Sequence, residues 1–205
     1  KSEEDPDRRF LSRIEAEAKR CKEITDNLLR FSEQQGAEHR EPIRLSRVAD
    51  MALDLMRSKL ESERITIETD YGDDKVRVEA NQGQLQRAVI NLVLNAETAM
   101  GEQGTLNVRV GLDGDWAVLS VSDTGRGIPK ENLGRVFEPF FTTKDNWKGA
   151  GLGLWVVFQI VEDHGGVVGL ESEVGKGTTV SLRLPVWKTK TGESIVPLAE
   201  SVESA

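Results

Sequence analysis

Two amides one helical turn apart, Asn91 and Asn95, sit in the run NLVLNAETAM (91–100) among residues that otherwise read as core: Leu92, Val93, Leu94 and Ala96. Positions i and i+4 share a helix face, so the two carboxamides either tie down local backbone or line one polar site. Three further segments could complete such a site. DTGRGIP (123–129) closes a hydrophobic strand pattern. Asp123 offers an acceptor carboxylate there, and Gly125 and Gly127 let backbone approach a ligand closely. A carboxylate in that place suits the exocyclic amine of adenine, although Asp-Thr-Gly also makes plain turns. FEPFFTTK (137–144) runs from three phenylalanines to Thr142, Thr143 and Lys144. Its rings read as a patch of core that anchors the polar residues at a pocket rim. GAGLGL (149–154) opens a helix with successive glycines. Their backbone N–H groups and the positive helix end make a phosphate cradle; a flexible surface loop fits the same residues. The preceding TTKDNWK is polar and irregular where a dinucleotide fold needs a strand, and GKGT (175–178) lacks the Gly-Lys-Ser/Thr ending of a Walker loop.

The elements that must position these residues follow from periodicity. Residues 5–35 predict one long helix, capped by Asp5 with Pro6 in its first turn. Leu11, Ile14, Ala18, Cys21, Thr25 and Leu28 follow steps of three and four, a heptad seam. Phe10, Ile24 and Phe31 run beside it, interrupted by Glu17, so the apolar face is wide at both ends and suits a helix bundle. At about 1.5 Å per residue the helix is roughly 45 Å long, too long for one small domain to cover. QQGAEHREP (34–42) predicts a linker. The second domain, 43–187, predicts a helix that Ser46 precedes and that runs through Ser62, strands RITIETDY and KVRVEA, a helix over 82–100, and strands TLNVRVGL and WAVLSVSD joined by a turn at Asp113 and Gly114. A helix over 154–163 follows, then a hairpin of GGVVGLESE and TTVSLRLPV turning at 174–177. Helices and strands interleave while several strand pairs are hairpins. The fold class is therefore α+β, a two-layer α/β sandwich with a mixed, mostly antiparallel sheet and helices on one face. Residues 188–205 predict a mobile polar tail.

The 205 residues suffice for one sizeable core and an appendage. A net charge of −8 opposes a nucleic-acid surface. No segment has the roughly 18 apolar residues needed to span a bilayer, and no signal peptide opens the chain. Cys21 is the only cysteine, which excludes an internal disulfide and zinc-finger spacing and fits a reducing cytoplasm. The chain starts without Met, which leaves room for a larger protein, membrane-anchored or not.

The order of NLVLNAETAM, DTGRGIP, FEPFFTTK and GAGLGL resembles the N, G1, F and G2 boxes of the sensor histidine kinase ATP-binding domain, within the Bergerat-fold ATPase superfamily. NAETAM and PFFTTK look most like the nitrogen-regulation type, and IVEDHGG and GKGTTVSLRLP fit the same pattern. RCKEITDNLLRFS (20–32) resembles the second helix of the family's dimerisation and histidine-phosphotransfer hairpin. The resemblance implies ATP and Mg²⁺ as cofactors. It gives Asn95 to Mg²⁺ through its amide oxygen and Asn91 to the phosphate end, where hydrolysing relatives such as DNA gyrase carry a water-activating Glu. It gives Asp123 to the adenine amine, with Thr178 nearby through water. Gly125, Gly127, Gly149, Gly151 and Gly153 frame the lid and the phosphates. Ile128, Thr142, Thr143 and Leu152 fall among the nucleotide-binding positions of the same boxes. Lys144 is the candidate for neutralising γ-phosphate charge, and with Asn91 it makes the catalytic pair. Thr98 stands where many relatives carry Lys or Arg, so one phosphate contact is absent or comes from elsewhere.

The family's acceptor histidine sits on the first hairpin helix and precedes an acidic residue. His39 precedes Arg40 and His164 precedes Gly165, so neither fits; His164 reads as structural and His39 as solvated. The implied function is the ATP-binding part of a two-component kinase that phosphorylates a histidine outside this chain. A response regulator, the histidine-bearing hairpin and a second copy docked through the N-terminal helix are the implied partners. Two other classes compete: a Bergerat ATPase or anti-sigma-type serine kinase, and a nucleotide-gated interaction module without catalysis.

Overall fold

The computed structural model describes residues 11, 14, 39–72, 76–142 and 151–188. Of the predicted N-terminal helix only Leu11 and Ile14 fall among them; both are helical and exposed, at 64% and 53%. The rest of that helix and the tail beyond Lys188 lie outside the described residues.

The chain runs β1 (Glu41–Arg44), α1 (Leu45–Ser62), β2 (Ile65–Asp70), β3 (Arg77–Ala80), α2 (Gln82–Met100), β4 (Gly104–Asp113), β5 (Trp116–Asp123), a short 3₁₀ turn (Lys130–Asn132), α3 (Gly153–Asp163), β6 (Val167–Glu173) and β7 (Gly177–Pro185). Five strands form one sheet in the order β2-β4-β5-β7-β6. β2 lies parallel to β4, and every other pair is antiparallel. β1 and β3 form a separate antiparallel ribbon. Period-two alternation explains the layers. Leu106, Val108 and Val110 of β4, Ala117, Leu119 and Val121 of β5, and Val180, Leu182 and Leu184 of β7 are buried. Against that face α1 packs Val48, Ala52, Leu53 and Leu60, α2 packs Leu85, Val89, Leu92 and Val93, and α3 packs Val157, Ile160 and Val161. Asn107, Ser120, Ser122 and Ser181 take the opposite face of the sheet. The two-layer α/β sandwich is what the sequence predicts.

Three boundaries differ, each for a local reason. The segment expected to be linker through Pro42 instead pairs: Glu41 and Pro42 stand opposite Ala80 and Glu79, and the Arg40 guanidinium donates to the Asp163 carbonyl at 2.8 Å. α1 starts at Leu45, with Arg44 at the N-cap position and its side chain not capping the helix; Ser46 is buried inside the first turn rather than preceding the helix. The phenylalanines of FEPFF lie outside the core. Phe140 is 53% exposed, Phe137 and Phe141 are half-buried, and Phe141 lies under the Arg135 guanidinium at 4.6 Å. The turn-rich backbone there gives the rings no sheet or helix face to fill.

α2 is held at its start by two bonds to one residue. The Asn81 side chain caps it, accepting from the Gln84 N–H at 3.0 Å, which satisfies one orphan donor of the first turn. The Asn81 backbone N–H donates to His164 Nε2 at 3.1 Å. His164 Nδ1 must then carry the proton, and it donates to the Ile160 carbonyl. Burial is the largest influence on this ring and, with Arg40 nearby, holds its pKa below the ordinary 6.5, against the Ile160 bond and Asp163. The unfolded chain therefore takes up a proton before the folded one does. Stability is complete above 6.5 and is lost as pH falls from there towards the depressed folded value. Urea unfolding is expected to give a steeper acid-side decline for the native chain than for His164→Ala. That variant also costs roughly 1–3 kcal/mol at neutral pH, because the Asn81 N–H is left unpaired.

Candidate functional site

Asn91 and Asn95 point at the first residue of α3. A Cβ built on Gly153 would lie 3.4 Å from Asn95 Nδ2, 3.6 Å from Asn91 Oδ1 and 3.7 Å from Asn95 Oδ1. The two amides behave differently. Asn91 Nδ2 donates to the Arg87 carbonyl at 3.0 Å, which turns its oxygen towards Gly153. Asn95 Nδ2 is buried with no hydrogen-bond partner, and among the described residues it is the one such side-chain atom. Leaving a buried amide unpaired is costly, so this group is built to meet something. No side chain caps α3, and no acidic residue occupies its first turn. Its partial positive charge faces the same space.

Asp123 ends β5 directly opposite Thr178 of β7. Its Oδ1 accepts from the Gly125 N–H at 2.8 Å, and the Thr178 N–H also bonds the carboxylate. Burial dominates and pushes its pKa above the ordinary 3.8; the two N–H bonds pull the other way. Gly125 lies against the end of α2: a Cβ there would come within 2.6 Å of the Ala99 carbonyl carbon. The next amide, Arg126 N–H, donates to the Ala99 carbonyl at 3.1 Å. Gly127 has φ of 70° and no room for a Cβ beside the Glu173 carbonyl, while the Arg126 carbonyl accepts from Gly175 N–H at 2.9 Å. The 123–129 loop is thus held between α2 and the β6–β7 hairpin. Ile128 joins through its N–H, which donates to Ser172 Oγ at 2.8 Å.

Gly151, at φ of 69°, seats where a Cβ would meet the Phe140 carbonyl carbon at 2.6 Å. The residues on either side of 143–150 are therefore side by side. Phe140 itself holds φ of 66°, an unusual state for a bulky residue. Leu152 is buried and accepts from Val156 N–H at 2.9 Å. Thr142 is exposed at the same neck. Thr143, Lys144 and Gly149 lie outside the described residues. Thr98 turns away from the space; its hydroxyl donates back to the Leu94 carbonyl at 2.8 Å.

The donor set suits the cofactors the resemblance implies. Hard amide oxygens at the mouth of a helix fit a divalent cation that rides on phosphates. The half-buried acceptor Asp123 fits a purine amine.

Residues 80–188 match the histidine kinase-, DNA gyrase B- and HSP90-like ATPase family. The chain belongs to that family. Within it the chain is an ATP-binding catalytic domain of the sensor histidine kinase kind. It is 37% identical over 197 residues to a sensor kinase, CckA, of Brucella abortus, covering 88% of this chain and 20% of that protein. It is 33% identical to sporulation kinase A of Bacillus subtilis, covering 86% of this chain and 29% of that protein. The catalytic domain of histidine kinase ThkA, solved without nucleotide, superposes with a TM-score of 0.65 at 31% identity, over 71% of this chain and 95% of that one. The mycobacterial sensor histidine kinase MprB gives 0.63 at 31%, over 72% and 97%. The chain spans 20% to 36% of the curated relatives it matches. Such relatives disfavour the ATPase, serine kinase and interaction-module alternatives.

Of the predicted site residues, the kinase domain gathers Asn91, Asn95, Leu152 and Gly153 at one end. Asp123, Gly125, Gly127, Ile128 and Thr178 gather at the other, and Gly151 pins the neck. Sequence reasoning missed Ser172 and Gly177. Ser172 was findable, because it continues the register of Val168 and Leu170 on the helix-facing side of β6, where a hydroxyl needs a partner. Gly177 holds φ of 114° with its Cα against the Asp123 carbonyl. Thermal and urea unfolding should show Gly127→Ala losing roughly 2 kcal/mol or more. Gly114→Ala, at a turn with φ of 60° but nothing within 4 Å of the new methyl, pays only the backbone part.

Proposed function

We propose that Mg-ATP binds between α2, the 123–129 loop and the start of α3, and that the full-length protein transfers the γ-phosphoryl group to a histidine outside this chain. The observation that carries this is the convergence of the Asn91 and Asn95 amides on Gly153. Asp123 accepts from the adenine amine. The Asn95 amide oxygen holds Mg²⁺, which when bound offsets phosphate charge and orients the transferring group. The N–H groups opening α3 face the phosphates. Asn91 takes part as a neutral acceptor. Its amide cannot accept a proton, so it does not activate water, and the γ-phosphoryl is kept for another nucleophile. In the transfer the bond from phosphorus to the β–γ bridging oxygen breaks, a phosphorus–nitrogen bond to imidazole forms, and ADP leaves. Lys144 neutralises charge on the γ-phosphate, while Thr142, Thr143 and Gly149 complete the lid.

Neither histidine of this chain is the acceptor: His164 is buried with both nitrogens bonded, and His39 precedes Arg40 in a segment leading into β1. The acceptor belongs to a helical hairpin whose second helix is the N-terminal one, which also pairs two copies. Histidine kinase ThkA has been solved with the response regulator TrrA. By analogy a response regulator receives the phosphoryl group here, in the cytoplasm. The NAETAM and PFFTTK endings support the nitrogen-regulation subtype. With γ-labelled ATP this chain alone is expected to stay unlabelled, while an added hairpin bearing a histidine acquires acid-labile label. Acid-labile label on the chain itself refutes the proposal.

Asn95→Ala separates binding from folding. Calorimetric titration should show Mg-dependent ATP affinity falling about ten-fold or more, while stability is unchanged or higher, because an unpaired buried amide is removed. For Asp123 the two signs oppose. Its raised pKa makes the nucleotide-free fold most stable where the carboxyl is protonated, and that contribution is lost as pH rises from 3.8 through the raised value. ATP needs the carboxylate, so affinity is expected to fall on acidification towards that value. Asp123→Asn binds weakly at every pH.

A further inference from the structure

Ser172 lies outside every glycine-rich box, yet its hydroxyl joins three segments of the site. It accepts from Ile128 N–H at 2.8 Å, donates to the Gly177 carbonyl at 3.0 Å, and sits 2.9 Å from Thr178 Oγ1. A serine hydroxyl has one proton and two lone pairs. All three contacts are satisfied together only when the Ser172 proton goes to Gly177 and Thr178 gives its own proton to Ser172. The Thr178 oxygen is then fixed in place and in polarity, with its lone pairs turned towards the Asp123 side. Asp123 and Thr178 are directly opposed across β5 and β7, so their side chains rise from the same face within about 5.5 Å at Cβ.

Resting on the assignment of adenine to Asp123, we propose that Ser172 is a positioning residue for base recognition. It holds Thr178 Oγ1 so that a water bonded there donates to adenine N1 while Asp123 accepts from the neighbouring N6 amine. Adenine alone among the common bases presents that amine beside an unprotonated ring nitrogen on a purine edge. Guanine puts an oxygen against the Asp123 carboxylate and a ring N–H against the water. The Ile128 bond extends the same control to the loop. One hydroxyl sets the distance between the loop carrying Gly125 and Gly127 and the strand carrying Thr178. Apolar neighbours of Ser172 on β6, Val168 and Leu170, make no such link.

The test compares ATP with 1-deaza-ATP, in which C–H replaces N1, by calorimetric titration of the whole 205-residue chain. The native chain is expected to prefer ATP by about ten-fold, the scale of one well-placed hydrogen bond. In Ser172→Ala the preference collapses to within about two-fold, and in Ser172→Thr, which keeps the hydroxyl, it returns. A merely structural serine would weaken both nucleotides alike and leave their ratio unchanged, which overturns the inference. So does a native chain that binds the two analogues equally while Asp123→Asn still loses ATP; the adenine assignment then stands without Ser172. If Asp123→Asn binds ATP like the parent, the assignment itself is wrong and the inference falls with it. Circular dichroism of Ser172→Ala guards against misfolding, and Ser172→Cys, close in size but a weak hydrogen-bonder, decides the question should the alanine variant unfold: a ratio reduced towards unity supports the inference and an unchanged ratio overturns it.

Discussion

Backbone meets backbone around Asp123, and the site depends on that contact. Gly125 touches the last turn of α2, Gly127 touches the end of β6, and Gly177 touches the Asp123 carbonyl. At each point a single methyl group would separate the elements. Three segments distant in sequence are thereby set at fixed spacing, with Arg126 bonding α2 on one side and the β6–β7 turn on the other. The carboxylate at the centre is positioned by main chain, which has fewer ways to relax than side chains do.

The nucleotide-free domain carries uncompensated polarity at both ends of the site. Asn95 has a buried amide hydrogen donor without an acceptor, and Asp123 is held partly out of water with its pKa raised. Each is a stability cost that a ligand of the right chemistry removes. Elsewhere the fold is careful about such groups. His164 is buried yet bonded at both nitrogens. The buried Glu97 has Lys59 at 3.1 Å, and although burial pushes its pKa up, bonds with Glu63 and Lys59 leave it lowered overall. Among the described side chains the one buried polar atom left without a hydrogen-bond partner is the amide nitrogen that faces α3.

Much of this was legible in the sequence where periodicity and local chemistry agree. The α2 span followed from a regular apolar stripe, and the β4–β5 and β6–β7 hairpins from alternation around Gly114 and Gly175; the Asn81 cap was not read from the sequence. Where tertiary pairing outweighs local preference the sequence misled. Pro42 looked like a linker residue, yet it stands in an edge ribbon whose missing N–H costs little. The FEPFF rings looked like core, but no regular element turns them inward. The site itself was legible as four boxes because glycine, amide and carboxylate leave marks. Ser172 left almost none, since one hydroxyl in a strand has meaning only through partners that register brings to it.

The neck at Phe140 and Gly151 has a consequence for engineering. With the chain's exit and re-entry in contact there, what is spliced between them changes the closure entropy only slowly with length. A reporter with adjacent termini could replace the intervening stretch without forcing the sandwich to reshape. Homologous loops of differing size could be exchanged on the same terms, and catalysis read out as a function of loop alone.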